Sequence, residues 1–115
     1  MDTRNKIVSA AEAEKLAAGG ATVVSGYFDP LIASHARRLA ELKRDGATLL
    51  VLIAAPQNPI LNARDRAELV ASLRVVDHVA ESGEGIRAHV RLEQEDTARL
   101  EKLIGRVHGR QRAAP

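Results

Sequence analysis

The stretch from Thr22 to Glu41, TVVSGYFDPLIASHARRLAE, is the part of the chain around which the rest is arranged. A short apolar run of β type, Thr22 to Ser25, ends at Gly26 and is followed by the turn-forming residues YFDP. A helical pattern then begins at Ala33. In an open α/β sheet this order places the N–H groups and the positive dipole end of a helix beside the carboxyl end of a strand. Phosphorylated ligands bind at such places, so the stretch predicts an anion site.

Helix and strand patterns alternate on both sides of this stretch. Ser9 and Glu12 form a capping box at the start of a short helix, and Asn62 can cap a later one. Apolar periodicity predicts helices over Ala10–Ala18, Ala33–Asp45 and Ala63–Arg74, and strands over Thr22–Ser25, Thr48–Ala54 and Val75–Ala80. We therefore expect a three-layer, Rossmann-like, doubly wound α/β fold, with a mainly parallel sheet of four to five strands in which these three strands are neighbours.

The last third of the chain is predicted to contain one more strand and one more helix. Apolar and polar residues alternate strictly from Ile86 to Glu93, which is typical of a half-exposed edge strand. Asp96 can cap a last helix that extends to about Val107, and a basic tail occupies residues 106–115. Because the chain then ends, we expect a second copy to cover an exposed sheet edge or apolar helix face and to form a homodimer.

Composition excludes several classes of function. The chain of 115 residues is predicted to be one domain, residues 1–115. Lys and Arg total 17 against 15 for Asp and Glu, a balance that does not favour nucleic acid as a partner. There is no cysteine, and no apolar run approaches the roughly 18 residues of a membrane span. We therefore expect a cytoplasmic protein with neither a nucleic-acid nor a membrane partner.

Two motifs resemble one known family. The segment GYFDPLIASH, Gly26 to His35, is similar to the pattern G-x-F-D-x-x-H-x-G-H of the cytidylyltransferase-like nucleotidyltransferases. The segment RDRAELVASLRVVDHV, Arg64 to Val79, is similar to the E-R-x-x-L helix and V-D-x-V strand of the same superfamily. With a weaker likeness near the N-terminus, the resemblance covers residues 6–79.

The resemblance implies an activity and a set of site residues. It implies that the domain binds CTP or another nucleoside triphosphate and transfers the nucleotidyl group to a small phosphorylated acceptor. His35 would be the catalytic residue and would contact phosphate, and Mg²⁺ would enter with the nucleotide as its counter-ion. No other cofactor is implied. The implied nucleotide- and phosphate-binding residues are Gly26, Tyr27, Phe28, Asp29, Ser34, His35 and Arg66.

The sequence also departs from the family pattern. Ile32 stands in place of the first histidine and Ser34 in place of the second glycine, and the loop after the second strand, residues 54–63, contains no lysine. Since an isoleucine donates no hydrogen bond, the alternative is a catalytically degenerate relative that binds a nucleotide, a phosphate or a protein partner.

Individual residues likewise keep a structural alternative. Asp29 is interpreted as a residue that stabilises a turn before Pro30, ahead of a direct role in the site. Arg66 contacts either the ligand or a carboxylate. The remaining histidines, His78, His89 and His108, show no metal-ligand spacing, so no bound metal is predicted.

Overall fold

The computed structural model describes residues 2–83 and 85–96. Within these residues, a short 3-10 helix at Thr3–Lys6 is followed by alternating strands and helices as far as Ala80, and then by a further strand. The elements are β1 (Ile7–Val8), α1 (Ala10–Ala18), β2 (Thr22–Gly26), α2 (Ala33–Leu42), β3 (Leu49–Ile53), α3 (Ala63–Ala71), β4 (His78–Ala80) and β5 (Val90–Arg91).

The five strands form one parallel sheet in the order β1-β4-β3-β2-β5. β3 is buried at every position, as its continuous LLVLI sequence predicts for the centre of a parallel sheet. The predicted adjacency is confirmed, because β2 pairs with β3 and β3 pairs with β4, each in parallel. From β2 the chain builds the sheet outward through β3 to β4, and β5 then returns to the other side of β2. The order of the strands therefore reverses between β2 and β5.

Two hydrophobic layers lie on opposite faces of the sheet. On one face, Leu39 of α2 and Val70 of α3 pack against Val24 and Val51 of the central strands. On the other face, Ala13 of α1 packs with residues such as Leu50. Alternate residues of β2 and β3 enter alternate layers, because successive side chains of a strand point to opposite faces. The fold is thus a three-layer, Rossmann-like α/β fold, as the sequence predicts.

The starts of the helices follow their capping residues. The Ser9 side chain accepts a hydrogen bond from the Glu12 N–H at 3.2 Å, and Asn62 accepts one from the Asp65 N–H at 2.8 Å. α2 differs, because its N-cap is Ile32, whose side chain makes no capping hydrogen bond. Ile32 therefore does not supply the side-chain acceptor that Ser9 and Asn62 supply to α1 and α3.

Several predicted boundaries are wrong. α2 ends at Leu42 and α3 at Ala71, three residues short of the predicted ends in both cases. The strand predicted over Val75–Ala80 is reduced to β4, and the long edge strand is reduced to β5, although it does lie at the sheet edge beside β2. β1 was not predicted from the sequence.

The predicted last helix also needs a correction. Residues 92–96 are already helical, so Asp96 does not cap a helix start. The rest of that predicted helix and the basic tail, residues 97–115, lie outside the described residues. Across residues 2–83 and 85–96, none of the helices has the length and apolar character needed to cross a membrane.

Candidate functional site

The candidate site lies at the carboxyl edge of the sheet, where β2 and β5 are neighbours. In open α/β sheets, ligands bind outside the carboxyl ends of the strands at the point where the strand order reverses. Gly26 ends β2 at this edge, and the loop that follows leads directly into α2. The predicted anion-site stretch therefore occupies the position that the topology favours for a ligand.

Gly26 and Phe28 shape the loop. Phe28 is fully buried and has a φ of 49°, a conformation that bulky residues rarely adopt. Its ring folds back over Gly26, so that a Cβ on Gly26 would lie 2.6 Å from Phe28 Cζ. The same ring meets the imidazole of His35 edge-on, with ring centroids 5.4 Å apart. Phe28 thus holds the loop and the first turn of α2 together, and only glycine fits beneath it.

Asp29 connects this loop to the loop after β3. Its two carboxylate oxygens accept hydrogen bonds from the N–H groups of Ile60 and Leu61, both at 2.7 Å. Desolvation alone would raise the pKa of Asp29, but these two hydrogen bonds and the nearby Arg66 charge together lower the pKa below its usual range. Asp29 therefore acts as an ionised brace between two loops, and its partners lie about 30 residues away instead of in its own turn.

Both ring nitrogens of His35 are engaged within the protein. The side chain is buried, with 10% of its surface exposed. Nδ1 accepts from the Ile32 N–H at 3.3 Å, which requires the hydrogen of a neutral ring to be on Nε2. Nε2 lies 2.7 Å from Oδ2 of Asp96, to which it donates. His35 is therefore at the predicted place, in the first turn of α2, and its outward N–H is directed at a carboxylate.

The neighbours of His35 in the motif occupy different environments. The Ile32 side chain is 49% exposed at the helix start. Ser34 lies half-buried in the first turn of α2, and Tyr27 is half-buried in the loop. The backbone carbonyl of Tyr27 accepts a hydrogen bond from Arg66. The structure therefore brings Tyr27, Ser34 and His35 to one edge of the sheet together with the Gly26 loop.

Arg66 is buried beneath the site. Its Nη1 donates to the carbonyl of Ala54 at 2.7 Å and to that of Tyr27 at 3.0 Å, and its Nε donates to the carbonyl of Leu61 at 3.1 Å. The side chain thereby joins the end of β3, the Gly26 loop and the loop before α3. These three bonds are to backbone carbonyls, and the expected contact of Arg66 with the ligand stays a prediction.

Sequence reasoning missed three residues that approach this edge. The Ser25 hydroxyl, at the end of β2, donates to the Glu93 carboxylate at 2.8 and 2.9 Å. Asp96 contacts His35, as described above. Ser25 precedes Gly26 directly, so its place at a strand end was a usable signal. Glu93 and Asp96 carried no such signal, because the sequence does not reveal that β5 pairs with β2.

An open cavity of about 460 Å³ adjoins Ser25 on the α1 face of the sheet. Its floor is apolar, and its rim carries the charged side chains of Arg91, Glu81 and Glu93. It is lined by Ser25, Leu52, Ile53, Ala54, Ala55, Glu81, Ser82, Gly83, Ile86, Ala88, Arg91 and Glu93. Among the described residues, no cluster of three or more His, Asp or Glu side chains could hold a metal ion.

Comparison with known proteins gives one partial similarity. No protein-family model matches the sequence. The chain is similar to FAD synthase from Halalkalicoccus jeotgali, with 36% identity over 62 residues. The match covers 49% of this chain and 44% of the relative, so the chain spans less than half the length of that relative. FAD synthase belongs to the nucleotidyltransferase superfamily.

Proposed function

We propose that this chain is a nucleotidyltransferase-like domain that binds a nucleoside triphosphate, CTP or another, and transfers its nucleotidyl group to a small phosphorylated acceptor. The observation that carries the proposal is the location of the Gly26 loop and the start of α2, at the β2–β5 reversal of the sheet. Such a location suits phosphates because helix N–H groups and the helix dipole are directed at them.

The proposed chemistry needs few groups from the protein. Nucleotidyl transfer depends on holding the attacking phosphate in line and on neutralising the triphosphate. The N–H groups at the start of α2 and the His35 Nε2–H would contact phosphate oxygens. Mg²⁺ would enter with the nucleotide, and Asp29 and Arg66 would hold the surrounding loops in place. We also expect the protein to work in the cytoplasm as a homodimer.

A second candidate function is favoured by specific contacts. Ile32 offers no donor where the family pattern has a histidine, and the outward N–H of His35 already has a carboxylate partner. A domain with these features could bind a nucleotide or a phosphate without turnover. Binding and catalysis therefore have to be measured separately.

Titration calorimetry with CTP and ATP, each with and without Mg²⁺, tests the proposal. ATP is included because FAD, the product that the name FAD synthase gives for the relative, contains an adenine nucleotide. His35→Ala is expected to weaken nucleotide binding by about 0.5 to 3 kcal/mol, the range of ordinary to charge-assisted hydrogen bonds. Release of pyrophosphate in the presence of small phosphorylated acceptors then separates an enzyme from a binding domain. Unaltered affinity in His35→Ala would remove the ligand role of His35.

A further inference from the structure

A short acidic segment, residues 93–96 with the sequence EQED, lies beside the candidate site. It follows β5 after Leu92 and contacts the end of β2 and the first two turns of α2. The contacts are Glu93 with Ser25 at 2.8 Å, Glu95 with Arg38 at 3.1 Å and Asp96 with His35 at 2.7 Å. Three negatively charged side chains of one segment therefore face the edge at which we propose that phosphates bind.

The contact between Asp96 and His35 decides what this segment does. A neutral imidazole has one N–H, and in His35 the position of that hydrogen is set by Ile32, whose N–H occupies Nδ1. The remaining donor, Nε2–H, is directed at Oδ2 of Asp96. A phosphate oxygen that binds His35 needs the same hydrogen along the same direction. Asp96 and a phosphate therefore cannot both hold it.

Charge makes the competition stronger. A carboxylate beside a bound phosphate is a like-charge pair, and the repulsion between two such charges is stronger near a protein surface than in bulk water. The Asp96 side chain is 31% exposed, so solvent screens it only in part. A nucleotide that approaches the start of α2 would meet this charge unless the segment moves away.

We infer that Asp96 is an internal competitor for the phosphate position at His35, and that it lowers the affinity of the site for anions until it is displaced. This inference rests on the proposed function, because it concerns the same site. Glu95 and Arg38 are 36% and 37% exposed in their ion pair. Exposed ion pairs of this kind contribute little to stability, so the pair of Glu95 and Arg38 presents little obstacle to displacement of the segment.

The test compares Asp96→Asn with Glu95→Gln. Both substitutions remove one negative charge from the same segment, but only the first acts on the partner of His35. Binding of CTP, ATP and inorganic pyrophosphate is measured by calorimetry for both variants and the wild type, with and without Mg²⁺. Asp96→Asn is expected to bind these anions about tenfold more tightly, and Glu95→Gln to stay within about twofold of the wild type. Melting temperatures establish that both variants are folded, and Asp96→Ala replaces Asp96→Asn if the latter is not.

Each result separates this inference from the proposed function. If nucleotides bind the wild type and Asp96→Asn equally well, Asp96 is not a competitor and the proposed function stands. If pyrophosphate binds Asp96→Asn more tightly while no nucleotide binds any variant, the competition stands and the proposed function falls. If Asp96→Asn binds more weakly only when Mg²⁺ is present, Asp96 holds the cation of the ligand and the inference is overturned. The inference is also overturned if Asp96→Asn and Glu95→Gln gain equally in anion affinity, or if none of the three proteins binds any anion.

Discussion

The close contact between Gly26 and the Phe28 ring predicts the effect of a single substitution, Gly26→Ala. Gly26→Ala would place a Cβ 2.6 Å from the Phe28 ring, which cannot move far because it is buried. Overpacking of this kind typically costs about 1 to 3 kcal/mol of stability. We expect the variant to show that loss in urea unfolding and to bind nucleotide more weakly, because the loop at the end of β2 must shift.

A double substitution provides the control for this clash. Phe28→Leu removes the ring atoms that the new Cβ would meet, at the cost of its own packing. If the clash is the cause, Gly26→Ala costs less in the Phe28→Leu background than in the wild type. Additive losses in the two backgrounds would mean that Gly26 is needed for a reason other than the Phe28 ring.

Ile32 distinguishes an enzyme from a degenerate relative. Because its side chain is 49% exposed, Ile32→His should change stability by no more than about 0.5 kcal/mol. It restores the donor that the resemblance implies, so pyrophosphate release should rise if the rest of the site is competent. Ile60→His, at a loop position that is 78% exposed, is the matched control and should leave activity unchanged. A stable Ile32→His variant with no gain in turnover would favour the binding function.

Among the elements, those with local signals were predicted best. α1 has the predicted bounds, because Ser9 and the two glycines after Ala18 mark its ends within a few residues. The central strands were predicted because a buried parallel strand is a continuous apolar run. β1 has only two residues and owes its place to pairing with β4, a partner about 70 residues later in the sequence. No pattern within the strand itself could predict it.

Asp77 connects three elements and predicts how stability depends on pH. Its carboxylate accepts from Lys43 Nζ, just after α2, and from the Leu49 N–H at the start of β3, while Asp77 itself precedes β4. Desolvation alone would raise the pKa of Asp77, but the hydrogen bonds from Lys43 and Leu49, with the Lys43 charge, hold the pKa below 3.8. The stabilisation is therefore present above about pH 3.8 and is lost as the pH falls through the lower folded pKa.

Asp77→Asn tests this dependence. The amide oxygen can still accept from Leu49 but loses the ionic bond with Lys43. We expect a loss on the order of 1 kcal/mol near neutral pH, less than a buried charged hydrogen bond contributes, because the side chain is 39% exposed. The difference between wild type and variant should shrink in thermal melts below pH 3.8. Asp45→Asn, in an exposed loop, is the control, and a difference that persists at low pH would contradict the pKa argument.

For the whole molecule, the fold could be predicted from the sequence far better than the site. His35 was assigned to the right turn of α2, but its partner Asp96 is 61 residues away in sequence. Arg66 was predicted near the substrate pocket, yet its burial against three carbonyls depends on how the loops after β2 and β3 meet. Such contacts follow from the order of strands in the sheet, and the composition of each segment does not encode that order.

Assembly is the last prediction and concerns the whole chain. We expect a homodimer, because a small domain with exposed apolar surface gains stability when a second copy covers it. Both edge strands, β1 and β5, have only two residues, and short edges offer little backbone for pairing between copies. The exposed face of α3 is therefore the better candidate for the dimer interface. Leu69 lies on that face and is 41% exposed. Light scattering over a concentration series should show a dimer, and Leu69→Ser should raise its dissociation constant about tenfold or more. Lys15→Ser, at an exposed position of α1, is the control and should leave the dissociation constant unchanged. A monomer at every concentration would refute the predicted homodimer.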